Sequence, residues 1–241
     1  MTNSWASCIE NLEPYPITGQ LFRVVQSQEQ VATNRLVDDL HEQERLEQLL
    51  ETSKPSKPAG SEQLHYLLAT PFRYPPLKHG SRFGQKSEPA LFYGSHQMAT
   101  AIAETAYYRH LFWQGMVIPP PTELITQHTI FNVSYATDAG LQLQQQPFDN
   151  HRDKLTHLND YSATQQLGQA MRESGVEAFE FVSSRNPERG INVGLFSPTA
   201  LVSNKPLAQQ AGLCQTSANS ITFSTDRTLY QFSQSSFATP T

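Results

Sequence analysis

The sequence is poor in the features that most readily announce a function. Cysteine occurs only twice in 241 residues, as Cys8 and Cys214 near opposite ends. That spacing offers neither a disulfide framework nor a metal-binding pattern, and the plain reading is two inert thiols in a cytosolic protein. Charged residues are sparse at 16%, and their net is −5, so the basic excess of a nucleic-acid binder is missing. No apolar run approaches ~20 residues, so no membrane span is expected. Residues 1–20 lack a basic start and an apolar stretch, so no secretory signal is expected either. There is no internal repeat, and no G-x-G-x-x-G, P-loop, H-E-x-x-H or G-x-S-x-G run. The eight histidines are scattered without metal spacing; His65 and His79 are the ones best placed to line a pocket.

What is present suits a single domain, residues 1–241, with one ample core. Residues 21–25 (LFRVV) read as a short strand carrying Arg23. Ser27 and Gln30 then form a capping-box start, and Val31, Leu36, Val37, Leu40, Leu46, Leu49 and Leu50 recur at helical spacing to about residue 51. This 27–51 helix is strongly acidic, which reads as a solvated outer face or as a surface for a basic partner. SKPSKPAGS at 53–61 is a surface loop by composition. Between Pro71 and Lys86 the local charge reverses: Arg73, Lys78, Arg82 and Lys86 appear without a single acid. Gly80 and Gly84 flank Arg82 there, which lets backbone approach a ligand closely.

Residues 90–93 read as a buried strand, and Ser95 as the cap of a helix through about Phe112. Further strands are expected at 128–134, 178–182, 191–196, 220–224 and 228–232, with a helix from Ser162 to Gly175. Helices interrupt the strands instead of alternating strictly with them, which favours an α+β class with a mixed sheet.

Loop, strand and helix thus carry Arg82, Tyr93 and Glu104 in succession. A glutamate in an apolar helix is costly unless it is paired, for instance with Arg109, or functional. Arg82 is either solvated or a forked donor for a pyrophosphate. Tyr93 is either core or a platform for a flat ring, and Ser183 and Ser184 either end a strand or act.

Taken together, GSRFG, LFYGS, TAIAETAYYR and FVSSRNPERGINVGLFSP resemble the RES family, named for an arginine, a glutamate and a serine. The resemblance covers residues 21–25 and 65–201 in the family's order, and the eleven-residue step from Tyr93 to Glu104 fits it. It matches Arg23 to the first-strand arginine, Arg82 to the loop arginine, Tyr93 to the strand tyrosine, Glu104 to the helix glutamate and Ser183 to the serine of the S-x-R turn. Ser184 is a rival for that last role, and GSRFG departs from the R-W-N run of many members. The resemblance implies a fold similar to ADP-ribosyltransferase toxins. It also implies an NAD+-consuming toxin that cleaves the nicotinamide–ribose bond, with phosphate or water accepting ADP-ribose, and with no further cofactor and no metal. Glu104, Arg82 and Ser183 would be catalytic; Arg23, Tyr93, Ser184 and Arg73 would hold substrate. The implied partner is an Xre-like antitoxin, with a homodimer inside the complex as one arrangement, in the cytoplasm. A protein-modifying ADP-ribosyltransferase and an inactive binding module remain as alternatives.

Overall fold

The computed structural model describes residues 5–27, 39–74 and 78–237. Its elements in chain order are α1 (Trp5–Glu10), β1 (Tyr15–Gln26), α2 (Leu40–Ser53), α3 (Tyr66–Arg73), β2 (Phe92–Ser95), α4 (Met98–Gln114) and β3 (Leu124–Gln142). There follow α5 (Arg152–Leu155), α6 (Ser162–Glu173), β4 (Ala178–Val182), β5 (Ile191–Leu195), β6 (Ala208–Thr216), β7 (Ser220–Ser224) and β8 (Leu229–Ser233).

These strands form one mixed sheet in the order β1-β2-β5-β4-β3-β6-β7-β8, and β1 pairs with β3 as well as with β2. The first five strands of that order therefore close on themselves, and β6, β7 and β8 extend the sheet from β3. All pairings are antiparallel except β3 with β4. The class is α+β, as the sequence predicts.

Alternation explains how the two faces divide. In AFEFV, Phe179 and Phe181 point to one face and Ala178 and Glu180 to the other. Phe179 and Phe181 join Phe83, Leu167 and Met171 in a core beneath α6. Ala178 joins Leu21, Phe92, Phe131 and Tyr135 in a second core covered by Leu67, Leu68 and Phe72 of α3. A third core packs Ile102 and Ala106 of α4 against Cys214, Ile221 and Phe223.

Several elements differ from the sequence expectations. The predicted 27–51 helix is seen from Leu40 onward, as α2, and residues 28–38 of that expectation lie outside the described residues. Leu49 and Leu50 are exposed, in keeping with a solvated helix. Strand β3 is far longer than 128–134 because it serves β1, β4 and β6 in turn. The basic stretch begins inside α3, an element the sequence reading did not assign; it is capped by His65, whose Nδ1 accepts from the Leu67 amide. Ser95 does not cap α4: Gln97 occupies that position, and Ser95 is buried in β2. Likewise Tyr161, not Ser162, precedes α6, while Gly175 with φ 74° ends it as expected. Cys8 and Cys214 are both buried free thiols.

Candidate active site

A tight turn at 80–84 presents the loop arginine. Gly80 has φ 72°, and a Cβ there would lie 2.3 Å from the Gly84 carbonyl oxygen, so only glycine fits. The turn is fastened from three directions. Phe83, fully buried, wedges between Phe179 and Phe181 with ring centroids 4.7 and 4.8 Å away. The Tyr93 hydroxyl accepts from the Phe83 amide at 3.1 Å and bonds Ser81 Oγ at 3.0 Å. From α6, Gln165 Nε2 donates to the Ser81 carbonyl at 3.0 Å. Tyr93 is thus a fastener of the loop as well as a wall, and its burial raises the phenol above its ordinary range.

Arg82 projects from this turn over Tyr161, its guanidinium carbon 4.5 Å from the ring centroid. Nη1 donates to the Leu155 and His157 carbonyls at 3.1 and 2.9 Å, and Nη2 donates to Ser184 Oγ at 2.6 Å. Three of its five donors are therefore committed to the protein, which holds the fork rigid.

Glu104 rises from the opposite side on α4, in a stripe with Ala101, Thr105 and Tyr108 that the helical repeat puts on one face. Its Oε1 accepts two hydrogen bonds, from Ser183 Oγ and from Asn192 Nδ2, each 2.6 Å long. Ser183 Oγ in turn accepts from the amides of Arg185 and Asn186 at 3.1 and 3.0 Å, so its proton is left for the carboxylate. Asn192 Oδ1 accepts from Ser95 Oγ at 2.7 Å. The register makes this meeting unavoidable, because Phe181, Asn192 and Ser95 are paired neighbours across β4, β5 and β2 and share one face.

The two sides enclose a cleft of about 530 Å³, lined among others by Arg23, Arg82, Tyr93, Glu104, Arg185 and Asn192. Its remaining walls include Tyr74, Tyr107, Tyr108 and Tyr161. Among the described lining residues, three arginines accompany one carboxylate. Arg23, on β1, packs over Phe92 at 4.9 Å and gives one donor to the Tyr93 carbonyl, while its buried Nε has no partner. Burial lowers its pKa to about 10, which still leaves it cationic at neutral pH. Arg185 lies 3.4 Å over the Tyr107 ring and bonds the Leu158 carbonyl and the Tyr161 hydroxyl.

The structure therefore brings Arg23, Arg82, Tyr93 and Glu104 to one crevice and settles the position of the two serines. Ser183 is buried behind Glu104, and Ser184 supports Arg82. Arg73 does not reach the cleft; its Nε donates to the Pro55 carbonyl at 2.5 Å and ties down the 53–61 loop. His65 and His79 do not line it either: His65 caps α3, and the His79 carbonyl accepts from Gln165. Nor is Glu104 paired with Arg109, which turns the other way to Thr216 Oγ1 at 3.3 Å. Asn192, Arg185 and Tyr161 were missed by sequence reasoning. The local signal for Asn192 was an amide at an inward position of a strand whose other residues are Ile191, Val193, Gly194 and Leu195. Among the described residues no group of three or more His, Cys, Asp or Glu side chains gathers as a metal would require. No described helix is long and apolar enough to cross a membrane.

A cationic, tyrosine-walled cleft around a doubly hydrogen-bonded carboxylate has the chemistry to receive an anion and to stack against a flat ring. The chain belongs to the RES domain family, whose model matches residues 57–215. Arg82, Tyr93, Glu104, Ser183 and Asn192 fall inside that span, and Arg23 precedes it. Comparison with curated proteins finds no match. Among solved structures the chain is similar to a chain of the M. tuberculosis MbcT–MbcA toxin–antitoxin complex, with TM-score 0.49 and 9% identity over 85% of this chain and 90% of that one.

Proposed function

We propose that the cleft binds NAD+ and cleaves its nicotinamide–ribose bond, and that the chain acts as the toxin of a toxin–antitoxin pair. The observation that carries this reading is Glu104: a carboxylate, fixed through one oxygen, in a cleft whose other charged residues, among those described, are all arginines. When the bond between ribose C1″ and the nicotinamide nitrogen breaks, its electron pair stays with the departing nicotinamide, which leaves neutral. Positive charge then develops on the ribose, and a carboxylate beside it stabilises that oxocarbenium-like state electrostatically. Attack at C1″ by water or phosphate oxygen, with loss of its proton, completes a hydrolysis or a phosphorolysis.

The guanidinium groups suit the pyrophosphate. Arg82 keeps two donors free, and Arg23 adds a cation to the cleft wall. The volume lies within the range typical of small-molecule and cofactor sites. An antitoxin of Xre-like type would silence such an enzyme by laying a segment into this cleft, and the excess of guanidinium favours an acidic one. The cellular consequence is growth arrest through NAD+ depletion in the cytoplasm.

The test is direct. Purified protein is incubated with NAD+, with and without phosphate, and the products are resolved by mass. Nicotinamide together with ADP-ribose supports hydrolysis, and nicotinamide with ADP-ribose-1″-phosphate supports phosphorolysis. Intact NAD+ in both arms would refute the reading.

A further inference from the structure

Glu104 uses its two carboxylate oxygens very differently. Oε1 takes both protein hydrogen bonds; Oε2 takes none, yet it is not among the buried atoms left without a partner. One oxygen is therefore anchored and the other is free in the cleft. An isolated carboxylate on a two-methylene stem rotates readily about its last torsion. Two short donors converging on the same oxygen remove that freedom and decide which oxygen is presented.

The second donor comes with its own constraint. Asn192 is 4% exposed, and an amide in that position can present either nitrogen or oxygen to Glu104. The carboxylate can only accept, so it draws Nδ2 toward itself and turns Oδ1 toward the buried Ser95, whose Oγ donates to it at 2.7 Å and holds the amide in that setting. The chain Ser95 to Asn192 to Glu104 runs across three elements, β2, β5 and α4, and each link has one directional sense.

We infer that Asn192, braced by Ser95, is a positioning residue that aims the Glu104 carboxylate, so that Ser183 is only half of the device. This inference rests on the reading of Glu104 as the group that meets the reacting sugar. Outer partners of a working group typically change its performance by ~10–100-fold when removed. Asn192→Leu keeps the number and branching of the side-chain heavy atoms and deletes the donor. Ser95→Ala deletes only the hydroxyl that braces the amide.

The experiment is a double-mutant cycle on steady-state nicotinamide release from NAD+, repeated in a Glu104→Gln background. The expected result is a kcat lowered ~10–100-fold by Asn192→Leu, with KM within about twofold, and a smaller kcat loss for Ser95→Ala. The double variant should be no worse than Asn192→Leu alone, because the two residues act in series. In the Glu104→Gln background Asn192→Leu should change the residual rate less than about twofold. A KM rise at constant kcat, additive losses, or an undiminished effect in the Glu104→Gln background would overturn the proposal. Full activity of Glu104→Gln itself, or a wild type that leaves NAD+ intact, would instead refute the functional reading. The relay is then judged from a crystal structure of Asn192→Leu. A carboxylate swung away or split between conformers supports it, and an unmoved one refutes it.

Discussion

Replacing Glu104 by glutamine separates chemistry from architecture in this site. The glutamine side-chain oxygen can still accept from Ser183 Oγ and Asn192 Nδ2, so both 2.6 Å contacts retain a partner and the packing of α4 is unchanged. Only the negative charge goes. The expected change in melting temperature is under about 4 °C, whereas kcat for nicotinamide release falls by ~10²–10³, equivalent to about 2.7–4 kcal/mol of transition-state stabilisation. Ser183→Ala makes the opposite comparison. It removes one donor to Glu104, but it also strips the acceptor from the buried amides of Arg185 and Asn186. Two unsatisfied buried amides cost about 2–6 kcal/mol together, or ~4–24 °C for a domain of this size. Circular dichroism melts and mass-resolved turnover on both variants make the test. A Glu104→Gln protein with native melting and kcat within about threefold of wild type would refute the electrostatic argument. A Ser183→Ala protein as stable as wild type would refute the account of the turn.

Gly168→Ala places a methyl 2.0 Å from the Phe83 carbonyl oxygen, so α6 must draw back from the 80–84 turn. A loss of about 1–3 kcal/mol in urea unfolding and a raised KM are expected, and an unchanged urea midpoint would contradict that packing. Arg82→Lys keeps the charge but cannot reproduce three directed contacts to Leu155, His157 and Ser184, so KM for NAD+ should rise at least ~10-fold; parity with wild type in initial-rate assays would count against it. Acid should destabilise the fold in two windows. Burial, with Arg109 nearby, lowers the His128 imidazole from 6.5 to about 4. The unfolded chain therefore binds that proton first, and stability complete above pH 6.5 is lost as pH falls through about 4. Burial alone would raise Glu180, but hydrogen bonds from His96, Tyr135, Gln142 and Gln144 outweigh it and hold the group at about 2 against an ordinary 4.5. Its contribution, about 3 kcal/mol, is complete above the ordinary value and disappears as pH falls through the lower one. Glu180→Gln should flatten this lower window in urea titrations, and a wild-type midpoint constant from pH 7 to 3 would exclude both windows.

The parts legible in the sequence were those written in local patterns. AFEFV alternates, and β4 runs over those residues; SITFS likewise marks β7. The three cleft residues on loop, strand and helix were also readable, because each stands out against its own neighbours. Strand β6 was not, since AQQAGLCQT has no alternating apolar set and owes its form to pairing with β3. Pro71 disguised α3 by standing inside a helix of eight residues. Asn192 escaped for a different reason. Its importance comes from lying opposite Phe181 and Ser95, a registration between strands separated by up to 97 positions in the chain. Arg185 was hidden similarly, within a turn whose contacts reach back to Tyr107 and Tyr161.

The doubly paired β1 has a consequence for how a ligand is received. Arg23 belongs to a strand bonded to β2 on one side and β3 on the other, so its backbone has no freedom left to surrender. The cation is also gripped by the Phe92 ring and the Tyr93 carbonyl. Capture against that wall requires no disorder-to-order step in the protein. The entropic penalty there falls on the incoming molecule, and calorimetry should register it as nearly independent of the protein's own motions.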